Sequence, residues 1–187
     1  HSIRRRQRQM CIRDRYGGVP LELTPKQLDA SYDELYTPRS TLQATYEQIF
    51  ADLDAAIADL PGTAMSGKAT KWAAHALKSR AALYAARLAK YHPQSSDGLT
   101  SIPAGLAGGY YTMSLASASA IIDSGKYPLH TGGGTYQKTY SEVLTKKGNS
   151  EMIFVTEYDL GLGKTHMHGY FNICLLYTSD AADDGLS

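Results

Sequence analysis

A mainly α-helical protein built from helical hairpins is predicted by three observations. Apolar residues recur at helical spacing through three long segments, alanine crowds the middle one, and a hydroxyl residue, glycine or proline bounds each. Composition agrees with this class. Of 187 residues, 43% are hydrophobic and 20% charged, which excludes disorder by composition. No apolar run approaches the ~20 residues that a bilayer-spanning helix needs. The formal net charge is +1, so a polyanion such as nucleic acid is not an expected partner.

The stretch 16–29 carries two glycines and two prolines and reads as a connector. A helix is expected from Ser40, which with Gln43 three residues on has the form of a capping box. Leu42, Tyr46, Ile49, Phe50, Leu53, Ile57 and Leu60 form its apolar stripe, and Pro61-Gly62 stops it. The spacing predicts a second helix over Lys71–Tyr91. Its large residues are Trp72, Leu77, Leu83, Tyr84, Leu88 and Tyr91, among alanines that favour helix and allow close packing. The short loop between the two predicts an antiparallel pair. A third helix is expected over Tyr110–Ser124, with Tyr111, Leu115, Ala118 and Ile122 on one face and Gly125 as its C-terminal stop. Tyr46, Tyr84, Tyr91 and Tyr111 are expected in the core or between helices. A short helix over Tyr136–Leu144, a buried strand over Met152–Val155 and a glycine-rich loop over Glu157–Asn172 complete the expectation.

The two ends read differently from the middle. Six arginines crowd residues 1–15, and the only two cysteines are Cys11 and Cys174. RRQRQMCIRD near the start and CLLYTSDAADD near the end can be written in codons that are reverse complements over almost their whole length. Both resemble a transposase-type sequencing adapter read from opposite strands. Residues 1–15 and 174–187 are therefore expected to be adapter-derived, with a helical region over 16–156 and the start of a loop-rich region over 157–173. Between Tyr16 and Asn172 the charge is 13 Lys+Arg against 14 Asp+Glu, and there is no cysteine. Thiol catalysis and cysteine-based metal sites are excluded there.

Several short motifs then occur in a telling order: Tyr16-Gly17-Gly18-Val19-Pro20-Leu21, Pro38-Arg39-Ser40-Thr41, Gly67-Lys68-Ala69-Thr70-Lys71, Ile121 through Leu129, and Asn149-Ser150-Glu151-Met152-Ile153-Phe154. In order and spacing they resemble the SusD/RagB nutrient-binding outer-membrane lipoproteins of Bacteroidota. The resemblance implies a tetratricopeptide-like helical scaffold covering about a third of a full-length member. It implies a surface-exposed position on the outer membrane through a lipid anchor, with the signal peptide and lipidated cysteine not in this sequence. It further implies capture of an oligosaccharide or polysaccharide, delivery to a SusC-like TonB-dependent transporter, and no catalysis. Without the resemblance, the helical hairpins point to a tetratricopeptide-like module for protein–protein interaction.

Gly161-Leu162-Gly163-Lys164-Thr165 suggests a phosphate-binding loop, but the first glycine of that motif would fall on Tyr158, and no helix-forming run follows Thr165. His166 and His168 lack a third metal ligand, and His75 reads as a packing or surface residue and not as a base. Asp52, Asp54 and Asp59 form a solvated helix face. No catalytic residue, metal or cofactor is expected. Tyrosine carries more information, since 13 of the 14 lie between the two ends, and its amphipathic ring suits stacking on sugars. Tyr158, His168, Tyr170, Phe171 and Asn172, on the loop after the expected strand, are the candidate ligand-binding residues.

Overall fold

The computed structural model describes residues 17–23, 36–64, 67–132, 134–146 and 148–155. The chain divides into two compact units, His1–Phe154 and Val155–Ser187, and the described residues fall almost entirely in the first. Among them are four α-helices and no strand: α1 (Leu42–Asp59), α2 (Lys71–Tyr91), α3 (Ala107–Asp123) and α4 (Tyr136–Thr145). A single 3-10 turn, Ala104–Leu106, leads into α3.

The caps show why the helices begin where they do. Thr41, Thr70 and Thr135 hold extended backbone, and each side chain accepts a hydrogen bond from the amide three residues on. The cap of α1 is thus Thr41 and not Ser40. Gln43 donates to Glu47 one turn ahead, so the expected capping box does not form. The second helix runs over the expected residues. The third starts three residues earlier than expected, because the 3-10 turn after Pro103 supplies its first turn. It ends at Asp123, two residues before Gly125, whose φ of +64° suits glycine.

Consecutive long helices run antiparallel. Tyr46 and Phe50, early in α1, share a core with Ala82, Ala85, Ala86 and Ala89, late in α2, while Asp54 lies beside Lys78. Likewise Tyr110, near the start of α3, joins that core, and Ser114 meets Ser79. The two serines exchange hydrogen bonds with each other's carbonyls, Ser79 Oγ to Ser114 O at 3.0 Å and Ser114 Oγ to Ser79 O at 2.9 Å. Side chains this small let the two backbones approach closely. Aromatic rings fill the space that the alanines leave: Phe50 lies 6.0 Å from Tyr46 and 5.5 Å from Tyr110 between ring centroids.

The buried faces of α2 and α3 differ from those expected. In α2 the alanines are the core, whereas Leu77, Leu83, Tyr84 (45% exposed) and Tyr91 (68%) lie on the surface. In α3 the buried residues are Ala107, Tyr110, Ser114 and Ser117, while Leu115 (68% exposed) and Ile122 (76%) point outward. Close helix packing selects small side chains, so the large apolar ones are displaced to the opposite face. Tyr46 is buried as expected, and Tyr111 packs half-buried against the core edge. Tyr84 and Tyr91 are not core residues.

The connector is less peripheral than its composition suggests. Gly17 and Gly18 are buried, and Gly18 N donates to Leu99 O while Arg39 Nε donates to Gly18 O at 2.9 Å. The 92–106 connection is pinned in turn by Ile102, which is fully buried, and by Ser101, whose hydroxyl accepts from Ser95 N.

No strand forms over Met152–Val155. Asn149 closes a turn instead, its Oδ1 accepting from Glu151 N and its carbonyl from Met152 N, and Phe154 is 55% exposed. Among the described residues no other segment offers a ladder, so the apolar run has nothing to pair with. The glycine-rich loop lies outside the described residues. Also among those residues, no helix is long and apolar enough to cross a membrane.

Candidate functional site

All five candidate ligand residues, Tyr158, His168, Tyr170, Phe171 and Asn172, lie outside the described residues, as do His166 and the Gly161–Thr165 motif. Three side-chain clusters remain on the described surface.

The first surrounds Trp72. Its indole Nε1 donates to Gly62 O at 2.9 Å, and Lys126 Nζ donates to the same carbonyl at 3.0 Å. Lys71 and Lys126 place their ammonium groups 4.7 and 5.6 Å from the indole, and His75 stacks on it at 6.0 Å. These contacts tie the loop after α1 to the start of α2 and the end of α3. His75 has its pKa lowered, first by burial and then by the charges of Lys78 and Lys71. Its Nδ1 is buried with no hydrogen-bond partner among the described residues. Asp54 pairs with Lys78 while staying 58% exposed, and Asp52 accepts from Gln48 Nε2, so both keep to the solvated face.

The second cluster fastens α4. His130 Nε2 meets Glu142 Oε2 at 2.8 Å, and His130 N donates to Glu151 Oε1 at 2.6 Å. The hydrogen bond to His130 is the main cause of the lowered Glu142 pKa, followed by Lys146 and Lys138 nearby. Among the described residues no group of three His, Cys, Asp or Glu could hold a metal ion.

The third is an open groove of about 400 Å³ at the end of the α2–α3 pair, lined by Leu83, Arg87, Tyr91 and Tyr111. Lys90 Nζ sits 5.1 Å from the Tyr91 ring centroid. A hydrogen bond to Tyr91, and then the phenols of Tyr91 and Tyr111 as neighbours, raise the Lys90 pKa. The sequence reading placed Tyr91 and Tyr111 in the interior and so missed this groove. A usable signal was present: Leu83, Arg87 and Tyr91 recur every four residues, on a helix face distinct from the alanines that pack the core.

The comparisons with known proteins converge on one family. A family model of SusD-like proteins, described as starch-binding and associating with the outer membrane, matches residues 11–83. Its match begins inside the stretch 1–15 that reads as adapter-derived. A crystal structure of a SusD-like protein from Bacteroides fragilis matches 79% of this chain at 31% identity with a TM-score of 0.56. This chain is SusD-like. It spans about a quarter of the length of that relative, covering 24% of it. The family-model match covers α1 and the first part of α2, and the structural match covers 79% of the chain, while the starch-binding description belongs to the family model. No curated protein matches the chain.

Proposed function

We propose that this chain belongs to a cell-surface nutrient-binding lipoprotein that captures an oligosaccharide and hands it to a SusC-like TonB-dependent transporter in the outer membrane. The observation that carries this reading is the agreement of two independent likenesses, one in sequence over residues 11–83 and one in structure over 79% of the chain. The protein is a binding protein and not an enzyme. The antiparallel pairs α1–α2 and α2–α3 support a tetratricopeptide-like scaffold, which holds binding segments in place without taking part in chemistry.

Sugar capture is assigned to the segment that holds Tyr158, His168, Tyr170, Phe171 and Asn172, where aromatic faces and amide or hydroxyl groups occur together. Replacing Tyr170 or Asn172 by alanine in the complete protein is expected to weaken glycan binding, measured by isothermal titration. Unchanged affinity in both variants would remove the site from that segment.

A further inference from the structure

The α2–α3 groove has a chemistry that capture by residues 158–172 does not use. Charge is segregated between neighbouring helices. Helix α1 carries Glu47, Asp52, Asp54 and Asp59 with no base, whereas α2 carries Lys71, Lys78, Arg80, Arg87 and Lys90 with no acid. Asp54 neutralises Lys78, but among the described residues no carboxylate pairs with Arg87. Helix α3 brings no acid to this end, since its one carboxylate, Asp123, lies at the other. The groove thus joins two phenol rings to an unpaired guanidinium, with the Lys90 ammonium beside one ring.

Phenol rings offer flat apolar surface with a polar tip, and a guanidinium presents a planar fork that matches a carboxylate. The fork can donate to the hydroxyls of a neutral sugar, but a carboxylate adds opposite charge and two parallel acceptors, and so uses it more fully. We propose that the groove is a binding subsite for an acidic saccharide, a uronate unit whose carboxylate is held by Arg87 while its ring lies against Tyr91 and Tyr111. This subsite rests on the glycan-capture reading above and names an additional place and a ligand class for it.

Affinity electrophoresis of the full 187-residue chain in gels holding polygalacturonate or amylose tests this. The proteins compared are the unaltered chain, Arg87→Gln, Tyr91→Ala and Arg80→Gln, each checked for helix content by circular dichroism. Arg80 is exposed on the same helix but does not line the groove, so it reports diffuse attraction to a polyanion. The expected result is retention by polygalacturonate that weakens roughly tenfold in Arg87→Gln and in Tyr91→Ala, with Arg80→Gln unchanged. Equal losses in Arg80→Gln and Arg87→Gln would overturn the subsite, as would competition by poly-glutamate as effective as by galacturonate oligomers. Retention by amylose but not polygalacturonate overturns the subsite and leaves glycan capture standing. Retention by neither overturns the subsite, and glycan capture is then decided by the titration of the complete protein.

Discussion

Gly17 and Gly18 show how one missing side chain can fix a chain crossing. A Cβ on Gly18 would stand 1.9 Å from Ser40 O, and one on Gly17 would stand 2.0 Å from Leu99 O, where φ is also +82°. Both obstacles are backbone, which cannot swing aside as a flexible side chain would. Gly18→Ala should therefore destabilise the fold by about 2–3 kcal/mol, read as a lower urea midpoint. Gly108 is the opposite case, for it lies inside α3 with nothing within 4 Å of an added Cβ. Gly108→Ala should raise the midpoint by about 0.5–1 kcal/mol, because alanine loses less backbone freedom in a helix. Shifts of the same sign in the two variants would contradict the packing described here. The paired glycines were visible in the sequence as punctuation, but the carbonyls they touch come from segments about 20 and 80 residues away, which no local pattern reveals.

At the scale of elements, the boundaries of α1, α2 and α4 were legible because hydroxyl caps, prolines and glycines mark them locally. The inward faces of α2 and α3 were not. Apolar periodicity identifies a stripe of large residues, and here the large stripe is the outer one, since Ala82, Ala85 and Ala86 are fully buried and Leu115 and Ile122 are not. Adding carbon to the true interface should therefore hurt: Ala86→Leu is expected to cost about 1–3 kcal/mol by overpacking, while Leu77→Ala on the exposed face should stay within about 0.5 kcal/mol. Thermal melts of the two variants decide between the faces. Helix α4 has a different support, packing on none of the other described helices and held by the His130–Glu142 contact. The folded-state pKa of Glu142 is depressed, so its stabilising share is present above the ordinary carboxylate value of about 4.3 and is lost as pH falls through the folded value. Hydrogen exchange at α4 amides should accelerate relative to α1–α3 as pH is taken from 7 to about 3.5, after correction for intrinsic rates. Glu142→Gln should show fast α4 exchange already at neutral pH, and an α4 that remained as protected in that variant would need another anchor.

For the molecule as a whole, the exposed large residues set the solution behaviour. Leu115 and Ile122 stand outward on α3, seven residues apart on one face, and Leu77, Leu83 and Tyr84 stand outward on α2. Helical spacing makes the α3 pair part of a stripe, not isolated surface residues. Apolar surface of this kind drives association, at roughly 25 cal/mol for each Å² removed from water, and the chain spans only a quarter of its B. fragilis relative. The 187-residue chain alone is therefore expected to elute from size exclusion as a concentration-dependent mixture of associated species, with helix content retained. Leu115→Lys with Ile122→Lys should shift that mixture toward monomer without lowering the melting midpoint, because both side chains leave the core untouched. Leu83 belongs both to this outward surface and to the Tyr91–Tyr111 groove, so galacturonate oligomers bound there as proposed should weaken the association on the α2 side and leave the Ile122 end of α3 adhesive. A monomer at all concentrations before any substitution would mean that the α3 stripe is not adhesive, and the reason for its large apolar residues would then have to be sought in the fold itself.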